Sequence, residues 1–162
     1  MIKICKKLKI DKIKILIFLF LFIFLCSFYY KNPNINSIKI DKFLADHLNY
    51  NTVFGNYRFK QLIEKSLNKD INALIEIKNV DCGGGSYCYS LGYVITQIIK
   101  RIGEQEFIKI YEQMPKKDQK EIIHFIYAGL EYGDNDYDGK MDNEKIENVY
   151  PNLYKIVHQN ND

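Results

Sequence analysis

Residues 86–103 read Ser-Tyr-Cys-Tyr-Ser-Leu-Gly-Tyr-Val-Ile-Thr-Gln-Ile-Ile-Lys-Arg-Ile-Gly, and this stretch decides the fold class of the chain. Its aliphatic residues recur at intervals of three and four, the spacing of one buried helical face. These residues are Leu91, Val94, Ile95, Ile98, Ile99 and Ile102. Gly103 follows in the position typical of a helix C-terminus, and Ser86 or Ser90 is the predicted N-cap. The stretch therefore predicts a strong helix.

Similar spacing recurs on both sides of this stretch, and no segment shows convincing strand alternation. Asp70 is a predicted N-cap, and Gly133 is a predicted helix end. The further predicted helices are 41–48, 57–69, 71–78, 107–114 and 116–132. Short connections between helices of this length are typical of bundles. We expect an all-α fold, a compact antiparallel helical bundle of about six to seven helices.

The segment Ile15 to Tyr30 carries no charge and is almost entirely apolar. As a helix it reaches roughly 24 Å, somewhat short of a ~30 Å hydrocarbon core. Lys14 and Lys31 can extend their amines to the headgroups, and the tyrosines at its end favour the membrane boundary. The segment therefore predicts an N-terminal transmembrane helix that contacts the lipid bilayer through residues 15–30.

The charges that flank this segment predict its orientation. Six lysines and one aspartate precede it, and positive charge stays on the cytoplasmic side. We expect a cytoplasmic basic tail (1–14), a signal anchor (15–30), a linker (31–37) and an exported helical domain (38–162). The expected location is the bacterial inner membrane, single-pass, with a periplasmic domain. The alternatives are a cleaved signal peptide, which would give a secreted protein, and a buried helix of a soluble protein.

The net charge of +3 is misleading because the basic residues are unevenly distributed. The lysine-rich start leaves the remainder of the chain with a formal charge near −2 and with both signs mixed along it. Nucleic-acid binding needs a basic patch or stripe. The sequence therefore predicts no nucleic-acid partner.

Cys82 and Cys88 are the cysteines of the expected exported part, whereas Cys5 and Cys26 precede it. Two thiols six residues apart, separated by a flexible Gly83-Gly84-Gly85, favour a disulfide in an oxidising compartment. A metal pair and a reactive thiol are the alternatives. No further ligands at zinc spacing follow, and the CxxC spacing is absent.

Residues 134–144, Asp-Asn-Asp-Tyr-Asp-Gly-Lys-Met-Asp-Asn-Glu, carry the one local pattern with a chemical interpretation. A loop around Ca²⁺ needs oxygens at positions 1, 3, 5 and 9, a Gly at 6 and a backbone carbonyl at 7. The predicted metal ligands are Asp134, Asp136, Asp138, Lys140 (through its carbonyl) and Asp142. Met141 would place an apolar side chain on the core.

This segment resembles the DxDxDG calcium loops of EF-hand proteins and the DxDxDGxxD loops of integrin α-subunits. It departs from the EF-hand at position 12, where Lys145 replaces the bidentate Glu. The resemblance thus implies weak Ca²⁺ binding that braces the last helices. The alternative is an Asp/Asn/Gly turn in which Asp142 or Asn143 caps a helix over 144–149.

No complete catalytic arrangement is recognisable, so we do not expect an enzyme. His47 and His158 have no partner at motif spacing, and His124 lies among apolar residues of a predicted helix as a structural residue. The glycines at 83–85 lack the Lys of a phosphate loop. The plan of basic tail, anchor and disulfide-closed helical domain is similar to that of periplasmic immunity proteins, which implies binding to another protein. The alternatives are a calcium-binding envelope structural or assembly factor and, less favoured, a hydrolase.

Overall fold

The computed structural model describes residues 20, 34–51, 55–134 and 138–159. The chain divides into two units, Met1–Asn32 and Pro33–Asp162. The predicted tail (1–14) and, apart from the helical Phe20, the predicted transmembrane segment (15–30) lie outside the described residues. Among the helices that are described, none combines the length and apolar character that crossing a membrane requires.

The second unit is predominantly helical over its described residues, which confirms the predicted fold class at that level. Helices 71–78 and 116–132 have the predicted bounds, and Asp70 caps the former by accepting a hydrogen bond from the Ala73 amide at 3.0 Å. The described elements are β1 (Asn34–Ile35), β2 (Ile38–Lys39), α1 (Lys42–Asn51), α2 (Gly55–Leu67), α3 (Ile71–Lys78), α4 (Ser86–Ile102), α5 (Glu104–Gln113), α6 (Lys116–Tyr132), α7 (Ile146–Val149) and α8 (Pro151–Gln159).

Helix α4 is the centre of the fold, and its closest partner is α6. Tyr89 lies against Tyr132, and Gly92 lies against Gly129, so the two helices run antiparallel. The aliphatic face predicted for α4 is buried among the other helices. The largest fully buried side chains of the unit include Phe59, Phe107, Ile38, Leu44, Ile63, Leu74, Ile77, Leu91, Ile95, Ile98, Ile99 and Ile122.

The crossing of α4 and α6 is a backbone-to-backbone contact. A Cβ atom built on Gly129 would lie 2.3 Å from both the carbonyl carbon and the carbonyl oxygen of Gly92. A Cβ atom built on Gly92 would lie 2.3 Å from the Phe125 carbonyl oxygen. Glycine is therefore required at both positions, because any side chain would push the helices apart.

A buried ion cluster joins α3 to α6. The Lys78 ammonium lies 2.9 Å from Asp118 Oδ1 and 2.5 Å from Glu121 Oε2, and it donates to Asn79 Oδ1 at 2.7 Å. The Lys78 side chain is 2 % exposed, whereas those of Asp118 and Glu121 are 18 % and 42 % exposed. Its three protons thus have three acceptors, which is what burial of an ammonium demands.

A small β-hairpin precedes α1, although no strand was expected. Residues 34 and 35, assigned above to the linker 31–37, form β1, and Ile35 is buried. Asn36 and Ser37 have positive φ angles of 50° and 68°, as in a two-residue hairpin turn. The Gln97 amide exchanges two 2.8 Å hydrogen bonds with the Lys39 backbone, which fixes the hairpin on α4.

Two predicted caps are wrong. The N-cap of α4 is Gly85, with a φ of 60°, and neither predicted serine takes that place. Helix α7 begins at Ile146 with Lys145 as N-cap, so Asp142 and Asn143 do not cap it. At the start of both helices, no side chain of the N-cap residue accepts a hydrogen bond from an amide of the first turn.

Candidate protein-binding surface

The predicted disulfide is present between Cys82 and Cys88, with an S–S distance of 2.01 Å. It closes a loop that connects α3 to the first turn of α4. The three glycines of the loop all have positive φ angles, a conformation that L side chains rarely adopt. A Cβ atom on Gly83 would lie 2.5 Å from the His47 ring, so the loop packs directly on α1.

Breaking this disulfide is expected to lower the free energy of unfolding by about 2 kcal/mol, because closing a loop this small restricts the unfolded chain. The measurement is thermal unfolding of the full chain and of the Cys82→Ser/Cys88→Ser variant, each with and without reductant. Reductant should lower the Tm of the unaltered chain and leave the variant unchanged. Equal Tm values for the oxidised chain and the variant would contradict the expectation.

Two pairs of stacked rings flank the disulfide loop. His47 stacks on Tyr87 with ring centroids 5.5 Å apart, and Tyr89 stacks on Tyr132 with centroids 4.4 Å apart. Two large apolar side chains on adjoining segments, Phe43 and Met141, are 65 % and 62 % exposed. We name the set of these six residues the aromatic surface: Phe43, His47, Tyr87, Tyr89, Tyr132 and Met141.

Four separate segments bring the aromatic surface together. Helix α1 supplies Phe43 and, one turn later, His47; α4 supplies both of its tyrosines from its first turn. Tyr132 is the last residue of α6. The Asp142 amide donates to the Gly133 carbonyl at 2.9 Å, which returns the loop that carries Met141 to the end of α6.

Charged side chains lie on the segments that carry the aromatic surface. Asp46, Asp81, Glu131 and Asp138 are exposed and belong to the same segments or to their immediate neighbours. A hydrogen bond to Glu131 raises the pKa of Tyr132, so this hydroxyl stays protonated at neutral pH. Exposed Lys42 and Lys140 adjoin Phe43 and Met141 in the sequence, so the aromatic surface combines apolar rings with charges of both signs.

The predicted calcium loop leaves the end of α6 beside the aromatic surface. Asp134, Asp138, Lys140 and Asp142 are described, and Asp136 lies outside the described residues. Asp134 Oδ1 is buried and accepts no hydrogen bond from a described group. Asp138 Oδ1 accepts from the Lys140 amide at 2.8 Å, and Asp138 Oδ2 lies 3.2 Å from Lys140 Nζ.

These described residues alone do not form a metal centre. The described parts of the chain contain no cluster of three or more His, Cys, Asp or Glu side chains arranged around a common point for an ion. Met141, expected to rest on the core, is exposed instead. The reason is that the returning loop is fixed by backbone hydrogen bonds to the end of α6, which leave this side chain outside.

A calcium titration decides whether this loop is a site. We expect the full chain to bind Ca²⁺ weakly, with a Kd on the order of 10⁻⁴–10⁻³ M, because the bidentate Glu is missing. Calorimetry with Asp134→Ala and Asp138→Ala should show the heat of binding lost in both. Exposed Asp46→Ala is the matched control and should bind like the unaltered chain. If the unaltered chain gives no heat of binding, the Asp-rich loop is an Asp/Asn/Gly turn and not a calcium site.

The disulfide could be predicted from the sequence, whereas the aromatic surface could not. Its residues come from four segments and share no motif spacing. The local pattern Tyr-Cys-Tyr at residues 87–89 was the available indication, because a disulfide at the start of a helix holds its neighbours near the surface.

No protein-family model matches the chain, and neither the curated proteins nor the solved structures give a significant match. Nothing in these comparisons or in the described side chains gives a positive indication of catalysis. Any proposal of function therefore depends on the geometry of the chain itself.

Proposed function

We propose that this chain is a membrane-anchored, exported helical protein that binds another protein through the aromatic surface. The observation that carries the proposal is the exposure of Phe43, Tyr89, Tyr132 and Met141 on segments that meet at the start of α4 and the end of α6. Aromatic residues and Met are enriched in protein interfaces, and tyrosine rings bury a large area at a small entropic cost.

The charge around the aromatic surface specifies the partner. Four exposed carboxylates and two exposed lysines, Lys42 and Lys140, belong to its segments or their neighbours, so the excess charge is negative and the complementary face of a partner carries Lys or Arg side chains around an apolar centre. The cations of such a face would pair with the exposed carboxylates, and its apolar side chains would pack against the rings of the aromatic surface.

Two further features support the exported location within this proposal. Disulfides such as Cys82–Cys88 form and persist in oxidising compartments, and residues 15–30 form the proposed anchor. Among protein-binding roles, we propose an immunity-type inhibitor that covers the active site of an exported toxin. The second candidate is a calcium-binding envelope assembly factor, which the Asp-rich loop beside the aromatic surface favours.

The immunity role predicts that a gene next to the one for this chain encodes a toxin, and the test uses the purified product of that gene. The full chain should bind the purified toxin, and Phe43→Ser/Tyr89→Ser should weaken that binding at least tenfold. Tyr57→Ser is the matched control, because Tyr57 is 64 % exposed on α2 and does not belong to the aromatic surface. If the unaltered chain and both variants bind the toxin with equal affinity, the aromatic surface is not the binding site.

The genetic counterpart separates the two roles. Deletion of the gene for an immunity protein should be lethal only in cells that carry the toxin gene, whereas loss of an assembly factor should give the same defect with or without it. A reporter fused to residue 162 should be active outside the cytoplasm. Activity confined to the cytoplasm would reject the exported location and both roles with it.

A further inference from the structure

A recess lies toward the other end of α6 from the aromatic surface. It is a cavity of about 560 Å³, open to solvent on one side, where α5, α6 and α8 meet. We name it the cationic cleft. The polar residues that define it are Tyr111, Lys116, Lys120, His124, Tyr127 and His158.

Hydrogen-bond donors predominate among the polar side chains that line the cationic cleft. Lys116 and Lys120 contribute two ammonium groups, and no Asp or Glu belongs to the lining over the described residues. The Gln119 carbonyl oxygen is the amide acceptor of the lining, and it already accepts from Lys116 Nζ at 3.2 Å. The Gln119 amide nitrogen donates to the Met114 carbonyl at 2.9 Å, which fixes that orientation.

Tyr111 is the least exposed polar residue of the cleft. It is only 4 % exposed, yet it lines the cavity, and no described residue forms a hydrogen bond with its hydroxyl. Burial, together with the neighbouring Tyr127, raises the pKa of Tyr111. Burial is also the main cause of the raised pKa of Tyr127. Both hydroxyls therefore keep their protons at neutral pH and can act as donors.

The cleft also has an apolar wall. Ile123, which is 5 % exposed, and Val157 lie beside the two tyrosine rings. A cavity of this size falls within the range of roughly 300–1,000 Å³ that is usual for small-molecule sites. An occupant needs an anionic group for the donors and a hydrocarbon body for the wall.

We propose that the cationic cleft binds a small organic acid, with its carboxylate between Lys116, Lys120 and the Tyr111 hydroxyl and its apolar body against Ile123 and Val157. The site is independent of the proposed protein partner, because the aromatic surface uses the opposite end of α6. A carboxylate gains more than a neutral group from such donors, since charge-assisted hydrogen bonds are about twice as strong as neutral ones.

The test is a titration of the full chain in lipid nanodiscs with 4-phenylbutyrate, with empty nanodiscs as the blank. Binding should be saturable and should shift the ring signals of His124 and His158 in NMR spectra. The neutral isostere 4-phenylbutyramide should bind at least tenfold more weakly. Acetate, which lacks the apolar body, and inorganic phosphate should also bind more weakly than 4-phenylbutyrate.

Two variants and one control locate the binding. Lys120→Met and Tyr111→Phe should each weaken 4-phenylbutyrate binding at least threefold without changing the Tm appreciably. Lys65→Met changes an exposed lysine of α2, outside the cleft, and should have no effect. The proposal is overturned if the amide binds as well as the acid, if Lys65→Met weakens binding as much as Lys120→Met, or if no anion gives saturable shifts up to ~10 mM. The Phe43→Ser/Tyr89→Ser variant, which is expected to lose toxin binding, should bind 4-phenylbutyrate as the unaltered chain does.

Discussion

Gly129→Ala is expected to lower the free energy of unfolding by about 3 kcal/mol, at the upper end of typical overpacking costs, although alanine is the better helix former. The new methyl group would lie 2.3 Å from the Gly92 backbone, and backbone atoms of a buried helix cannot rotate away as a side chain can. The helices α4 and α6 would have to separate along their whole contact. Gly92→Ala should have a similar effect for the same reason.

The measurement is chemical unfolding of the full chain followed by circular dichroism. Gly84→Ala is the control: nothing lies within 4 Å of its Cβ position, so its cost is limited to the positive φ of 86°, about 1–2 kcal/mol. Helix propensity alone predicts that Gly129→Ala stabilises by about 1 kcal/mol. A stabilised Gly129→Ala variant would therefore show that the two backbones do not touch.

Neutralising both carboxylates of the ion cluster is expected to cost about 3 kcal/mol, because Asp118→Asn/Glu121→Gln leaves the Lys78 ammonium buried without a counter-charge. Lys78→Met should cost less, since Asp118 and Glu121 are partly exposed and water can solvate them. The triple variant that combines all three changes should recover most of the loss, because an apolar side chain replaces the stranded charge. A triple variant as unstable as the double variant would contradict this account.

The same cluster predicts a pH dependence at both extremes. Hydrogen bonding to Lys78 lowers the pKa of Glu121, so its contribution is present above the ordinary value of 4.5 and is lost as pH falls through the lowered value. Burial alone would lower the pKa of Lys78, but its hydrogen bonds to Glu121 and Asp118 outweigh burial and raise it. Its contribution is present below 10.5 and is lost as pH rises through the raised value. The stability difference between the unaltered chain and Glu121→Gln should therefore shrink in acid, as urea titrations at several pH values would show.

Features set by a few neighbouring residues could be predicted from the sequence. Helix 71–78 has both its N-cap and its apolar face within nine residues, and helix 116–132 lies between Pro115 and Gly133. The disulfide also follows from local spacing, because Cys82 and Cys88 are joined by a short flexible loop.

Features that depend on which helices become neighbours could not be predicted. Gly92 and Gly129 look like weak points of two helices until the helices cross at those positions. Lys78 looks like an exposed helix-terminal residue, because its burial depends on carboxylates some forty residues later. The hairpin at 34–39 needs the Gln97 amide, which one sequence segment cannot reveal.

The candidate sites illustrate the same limit. The Asp-rich loop is a local pattern and was recognisable, although its binding of an ion stays a prediction. The aromatic surface and the cationic cleft each combine side chains from three or more segments, and none of these segments has an unusual composition of its own.

Several hydrogen bonds join the C-terminal segment, residues 142–159, to helices that precede it in the sequence. The amides of Asn143 and Glu144 donate to carbonyls in the last turn of α6, and that of Asp142 donates to the carbonyl of the following Gly133. Glu104 of α5 accepts the Asn152 and Leu153 amides at the start of α8. Residues 142–159 therefore cannot open without exposing the terminal carbonyls of α6. In a hydrogen-exchange experiment their amides should behave as one cooperative unit with the C-terminal turn of α6, and this unit should open more often than the α4 interior.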